Sequence, residues 1–120
     1  MKTLLLFIAI ALSINVFGQS TVKIGNLEVM TEDLEGKMTW DDAKKACADL
    51  GDGWRLPTKD ELDLLYDNKE KMGGGAKHNY WSSTEFANKI AWSQNFGVGG
   101  QNVSNKYTTY YVRAVRVWYE

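Results

Sequence analysis

Thr58-Lys59-Asp60-Glu61-Leu62-Asp63-Leu64-Leu65-Tyr66, with Pro57 just before it, decides the architecture. A threonine followed three residues later by a glutamate is a capping box, which satisfies backbone N–H groups that a helix start leaves orphaned. Leu62, Leu65 and Tyr66 recur on one helical face, while Asp60, Asp63 and Asp67 fall on the opposite one. Pro57 is placed to staple onto Leu62. The spacing predicts an amphipathic helix opening at Thr58, with Lys69 and Lys71 near its end complementing the helix dipole.

Working outward, Thr39 opens another helix, with Asp42 as a capping-box-like partner. Ala43, Ala46, Cys47 and Leu50 follow at i, i+3, i+4 and i+7, and Gly51 stands where a helix terminates. Earlier still, Val22-Lys23-Ile24 and Leu27-Glu28-Val29-Met30 flank Gly25-Asn26, the pattern of a strand or small hairpin. Downstream, Gly73-Gly74-Gly75 marks a flexible connection. Strand-like runs come next: Tyr80-Trp81-Ser82-Ser83-Thr84, Ile90 to Phe96, and, beyond the turn Gly97-Val98-Gly99-Gly100, Gln101 to Ser104. A long last strand is expected over Tyr110 to Trp118. Tyr111, Arg113, Val115 and Val117 share one of its faces, and Val112, Ala114, Arg116 and Trp118 the other. Apolar groups on both faces predict a central place in a sheet. A strand, two helices and then several strands make an α+β layout with an antiparallel sheet. No repeat or linker divides it, so residues 19–120 are expected to form one domain.

The chain begins Met1-Lys2-Thr3, runs through Leu4 to Leu12, and relaxes through Ser13 to Gln19. One positive charge, a short apolar stretch and then small residues describe a cleavable signal peptide over residues 1–18. Val16 and Gly18 suit the −3 and −1 subsites, so the cut is expected after Gly18, with Gln19 or Ser20 as near alternatives. A spanning helix needs about 20 apolar residues, and Asn15 and Gly18 interrupt this run early. The only cysteine, Cys47, is far from the cut, which speaks against a lipid anchor. A periplasmic or extracellular product with no membrane span after cleavage is the expectation. Fourteen basic against fifteen acidic residues leave no basic excess for nucleic acid. Five tryptophans and six tyrosines supply core area that a small domain otherwise lacks.

Several blocks recur together: Met38-Thr39-Trp40-Asp41-Asp42-Ala43, Gly53-Trp54-Arg55-Leu56-Pro57-Thr58 with Glu61-Leu62, Tyr80-Trp81-Ser82-Ser83-Thr84, Ala91-Trp92 to Phe96, and Tyr111-Val112-Arg113-Ala114-Val115-Arg116. In that order the chain resembles the bacterial DUF1566 family, also called the Lcl C-terminal domain, from about Ile24 to Trp118. The resemblance implies a C-type-lectin-like fold, two helices packed on a twisted antiparallel sheet. That fold is shared with sulfatase-modifying enzymes, so it does not by itself assign an activity. Trp54 and Leu56 are expected in the core, and Arg55 capping carbonyls or pairing with a carboxylate. Pro57 is expected to set the chain direction and Trp81 to pack under the sheet. Ser82, Ser83 and Thr84 are expected to satisfy backbone groups as the strand ends. Arg113 and Arg116 complete this structural set. Many relatives carry a cysteine at the position of Ala114, able to bridge to one on the first helix. Here that partner is absent, which makes Cys47 a free, buried thiol and no disulfide is expected.

No catalytic residue is expected. Ser82 and Ser83 have His78 nearby in sequence but no G-x-S-x-G elbow, and His78 reads as an exposed loop residue. One cysteine and one histidine do not make a zinc set. Asp41, Asp42, Asp49 and Asp52 lack the alternation of a calcium loop, and the lectin motifs Glu-Pro-Asn and Trp-Asn-Asp are missing. No metal or cofactor is therefore expected. Asn102-Val103-Ser104 fits a glycosylation triplet but reads as a turn. What remains is binding. Trp92, Tyr107 and Tyr110, with Gln94, Asn95, Gln101 and Asn102, combine ring faces with amides, a mixture that suits sugars or peptides; the alternative is rings in the core and amides covering loops. The expected function is an exported, non-enzymatic, lectin-like or adhesion-type module for a glycan, a protein or a cell-surface polymer. A structural or assembly component of the envelope is the alternative, and a sulfatase-modifying-type enzyme, which would need a cysteine pair, the least favoured.

Overall fold

Residues 20–73 and 77–119 are described by the computed structural model. The expected signal peptide over residues 1–18 and its cut lie outside the described residues, as do residues 74–76 of the glycine-rich connection. The described residues form six strands, two α-helices and a short 3-10 helix at Lys69–Met72.

The opening hairpin forms as expected. β1 (Thr21–Ile24) pairs antiparallel with β2 (Leu27–Met30) in a register that sets Ile24 opposite Leu27. Gly25 takes φ +59° in the two-residue turn, a conformation open to glycine at no steric cost. α1 spans Trp40–Asp49 and α2 spans Lys59–Asp67. A meander of β3 (Asn79–Ala87), β4 (Ile90–Asn95) and β5 (Gln101–Asn105) follows, and β6 (Val115–Val117) returns to pair with β2. Two three-stranded antiparallel sheets result, ordered β1-β2-β6 and β3-β4-β5. The fold is α+β, as expected.

The long last strand is not one strand, and β6 is not central. Residues 110–115 run as a seam between the sheets and change partner as they go. Tyr110 bridges Met38, Tyr111 bridges Tyr80 in parallel, and Val115 bridges Arg55. Leu34 and Met30 donate their N–H groups to the carbonyls of Val112 and Ala114. The run is apolar on both sides because each side meets a different core. Tyr111 and Val115 pack with Val29, Leu62, Leu65 and Phe96, whereas Val112 and Ala114 pack with Trp40, Cys47, Leu56 and Trp81. Each large side chain fully buried in these clusters contributes about 1.5–3 kcal/mol.

The helices are capped by different means. At α2 both halves of the capping box form: Thr58 Oγ1 accepts from Glu61 N at 3.1 Å, and Glu61 Oε1 accepts from Thr58 N at 2.9 Å. At α1 the expected box is missing, for Thr39 makes no side-chain capping bond. The carbonyl of Lys106 takes the Trp40 N–H instead, and the Trp40 indole donates to the Ser82 carbonyl at 2.8 Å. The turn after β5 thus satisfies the first N–H of the helix, a group that the expected Thr39 cap would not have reached.

Ser82 to Thr84 do not end β3 either. The register jumps between Trp81↔Ser93 and Glu85↔Ala91, so these residues bulge out against Trp92. Ser82 Oγ donates to the Trp92 carbonyl at 2.7 Å and accepts from Thr84 N. The groups freed by the bulge then dock α2: Ser83 N donates to the Pro57 carbonyl, and Thr84 Oγ1 accepts from Lys59 N. Asn102-Val103-Ser104 lies within β5, not in a turn.

Candidate functional site

The seven ring and amide residues expected to share a surface are divided by the meander. Across the β4–β5 ladder Gln94 is opposite Gln101 and Trp92 opposite Val103. Alternation places this set on one face and Ser93, Asn95 and Asn102 on the other.

On the first face the amides are consumed. Gln94 is fully buried, and its Nε2 donates to Asp63 Oδ1 at 2.9 Å and to the Gly99 carbonyl at 3.1 Å. Gln101 Nε2 donates to Gln94 Oε1 and to the Lys59 carbonyl. Together they stitch the sheet to α2, which leaves Gln94 no surface for a ligand. Trp92 is half-buried beyond them, with Phe86 edge-on at 5.8 Å and Lys59 Nζ 4.5 Å from its ring centre. Phe86 and Val103 remain exposed beside it.

The second face opens into a cleft of about 300 Å³, to which Asn95 and Tyr110 contribute. Tyr110 rests on Trp81 at 4.8 Å, and its hydroxyl pairs with Ser104 Oγ at 2.8 Å. Asn95 Oδ1 accepts from the N–H groups of Gly97 and Val98, which turns its NH₂ over to other partners. His78 lies stacked on Tyr111 at 4.3 Å and 22°. Lys37, Lys77, Asn79 and Thr109 complete the lining. No carboxylate lines the cleft, and neither lysine enters a salt bridge among the described residues. In a chain of net charge −1 this is a locally cationic site. Asn102 is exposed on β5, and Tyr107 is 80% exposed in the turn that follows, its N–H held by Asn105 Oδ1.

Sequence reasoning missed Lys37, Lys77, Asn79, Thr109 and Tyr111, and read His78 only as a loop residue. They belong to separate segments that meet through the pairings Met38↔Tyr110, Tyr80↔Tyr111 and Asn79↔Asn95. No motif joins them.

The remaining singled-out residues hold the frame. Trp54 lies under the Arg116 guanidinium at 4.5 Å, and Arg116 Nε donates to Glu28 Oε1 at 2.8 Å. Leu56 and Pro57 are buried, and the Trp81 indole donates to the Met38 carbonyl at 2.9 Å. Arg55 does both things foreseen for it: Nη1 donates to the Leu56 carbonyl, and the fork grips Glu61 at 2.7 and 3.0 Å. Burial pushes the Glu61 carboxyl up, but the hydrogen bonds from Arg55 and from Thr58 N, with the guanidinium charge, outweigh it and hold it below the ordinary range. Arg113 is buried against Asp33. Burial, and then the Asp33 carboxylate, raise the Tyr80 phenol, which stays a proton donor to Asp33. Cys47 is fully buried in the same cluster as Ala114, and desolvation pushes its thiol up to about 12. Ser82 spends its hydroxyl on the bulge. Asp41, Asp42, Asp49 and Asp52 are exposed, and no group of three or more potential metal ligands gathers among the described residues.

Comparison with known proteins bears on the fold and the family. The crystal structure of botrocetin, which has a C-type-lectin-like fold, matches with a TM-score of 0.58 at 12% identity, over 82% of this chain and 96% of that one. At that identity the likeness speaks for the fold alone. No curated protein sequence matches the chain. The Lcl C-terminal domain family matches residues 20–116, in line with the blocks around Trp54, Trp81 and Arg113. On that span the chain belongs to the Lcl C-terminal domain family, in a C-type-lectin-like α+β fold.

Proposed function

We propose that the domain is a non-enzymatic binding module, exported to the periplasm or beyond by its first 18 residues. In this reading it holds an acidic group of a glycan, protein or cell-surface polymer in the cleft beside Lys37 and Lys77. The observation that carries it is the composition of that cleft: two lysines in no salt bridge among the described residues, the Asn79 and Asn95 amides and the stacked His78–Tyr111 rings, with no carboxylate in the lining. An anion entering there gains charge-assisted hydrogen bonds, and no lining group repels it.

His78 is the only histidine, so its ring signals in an NMR spectrum report on the cleft alone. Titration with glucuronate is expected to move them in calcium and in chelator alike, and glucose is expected not to. Lys37→Ala and Lys77→Ala are expected to weaken the response, with the ligand recovered chemically unchanged. Equal responses to acid and neutral sugar, or none to either, would sink the reading. A protein–protein assembly role draws support from the exposed Phe86 and Val103 beside Trp92. Concentration-dependent association abolished by Phe86→Ser would favour it.

A further inference from the structure

A single buried guanidinium joins the segments that lead into the cleft. Arg113 is 1% exposed and gives Nε and Nη2 to Asp33 Oδ1 at 2.9 and 2.6 Å. Its Nη1 donates to two carbonyls, Met30 at 3.1 Å and Met72 at 2.8 Å. The Tyr80 hydroxyl closes the network on the Asp33 carboxylate at 2.9 Å. The end of β2, the loop after it, the end of the 3-10 helix, the start of β3 and the seam all meet at this point.

Three of these segments supply the cleft within a few residues. Asp33 stands four residues before Lys37. Tyr80 directly follows His78 and Asn79, and Arg113 lies two residues after Tyr111. Gly73, at the end of the 3-10 helix, lies against the loop that leads to Lys37, for a Cβ there would lie 3.1 Å from the Thr31 carbonyl oxygen. Replacing a buried ion pair with packed apolar groups is often neutral for stability. Apolar groups, however, cannot hold the Met30 and Met72 carbonyls at a set separation, and a guanidinium with fixed fork geometry can.

We infer that the Arg113–Asp33–Tyr80 network is the positioning device of the cleft, fixing how Lys37 stands relative to His78 and Tyr111. This rests on the cleft being the ligand site. These three residues touch no ligand in this view and act through the segments they hold.

The test uses Asp33→Asn, which keeps the shape and removes the charge, and Tyr80→Phe, which keeps the ring and removes one donor. Leu56→Val, which trims one methylene from a residue that does not line the cleft, serves as a control for lowered stability. Two quantities are read on the folded protein. One is the ring-current displacement that Tyr111 imposes on His78 without ligand, and the other is the dissociation constant for glucuronate. Asp33→Asn is expected to lose most of the displacement and at least tenfold in affinity, Tyr80→Phe a few-fold, and Leu56→Val neither. Should Asp33→Asn fail to fold, Tyr80→Phe decides alone. Network variants that lower Tm yet keep the His78 displacement and the affinity would overturn the inference while leaving the binding function intact. Absence of glucuronate binding in the unaltered protein would defeat the proposed function, and the His78 displacement would still judge the positioning role.

Discussion

Gln94 and Asn95 are consecutive in β4 and chemically almost the same, yet one is sealed between the sheet and α2 and the other borders an open cleft. The closed face spends its polar groups on the fold: Gln94, Gln101, Asp63 and the Lys59 carbonyl satisfy one another. The open face keeps cations and an amide in reserve. A residue's chemistry therefore says little about its role here. Which side of a strand it occupies, and whether a helix covers that side, decides.

Removing the support of the open face should have the largest effect. Trp81 lies beneath Tyr110 and donates to the Met38 carbonyl, so Trp81→Ala is expected to lower stability by about 3–5 kcal/mol. Chemical denaturation measures this, and a loss under about 1 kcal/mol would mean that the ring is not a keystone of that face.

The closed face is tested by Gln94→Leu, which keeps much of the volume but strands the Gly99 carbonyl. A loss of about 1–3 kcal/mol is expected, with glucuronate binding unchanged. Weakened binding at full folding would show that the two faces are not independent.

Acid should loosen the closed face next. The folded Glu61 carboxyl is held below its ordinary value, so the unfolded chain binds its proton first as the pH falls. Its contribution is present above the unfolded carboxylate range near about pH 4.3 and is lost as the pH drops through the lowered folded value. A stability-versus-pH series should therefore fall less steeply over that window in Glu61→Gln; identical slopes would discount the Arg55–Glu61 clasp.

The smallest effect on stability belongs to the cleft lysines. Lys37→Ala and Lys77→Ala are expected to stay within about 0.5 kcal/mol of the parent while losing binding. A larger destabilisation would make the lysines part of the frame, and the contrast between the faces would fail.

Much of the frame was legible because its signals are local. The Thr58–Glu61 box, the Ala43–Cys47 stripe and the Gly25-Asn26 turn involve groups within a few residues of one another, and all three form. The cap of α1 was not legible, since its acceptor is the carbonyl of Lys106, far along the chain. The last segment misled for a related reason: apolar groups on both faces describe a central strand and equally a seam between two cores. The ligand surface inferred from Trp92, Gln94, Asn95 and Asn102 joined residues by type, while the sheet separates Trp92 and Gln94 from Asn95 and Asn102 by parity.

By itself, then, the sequence determined the order of elements, both helices, the buried thiol at Cys47 and membership of the Lcl C-terminal domain family. The elements and the buried stripe follow from spacings of two to four residues, which backbone hydrogen bonding and side-chain periodicity translate directly into local structure, and the family from its resemblance across five motif blocks in order. Only the tertiary structure decided which amides were spent and where Lys37, Lys77 and His78 would meet. Long-range pairings such as Met38↔Tyr110 and Asn79↔Asn95 bring those segments together, and no local spacing records a contact made by folding.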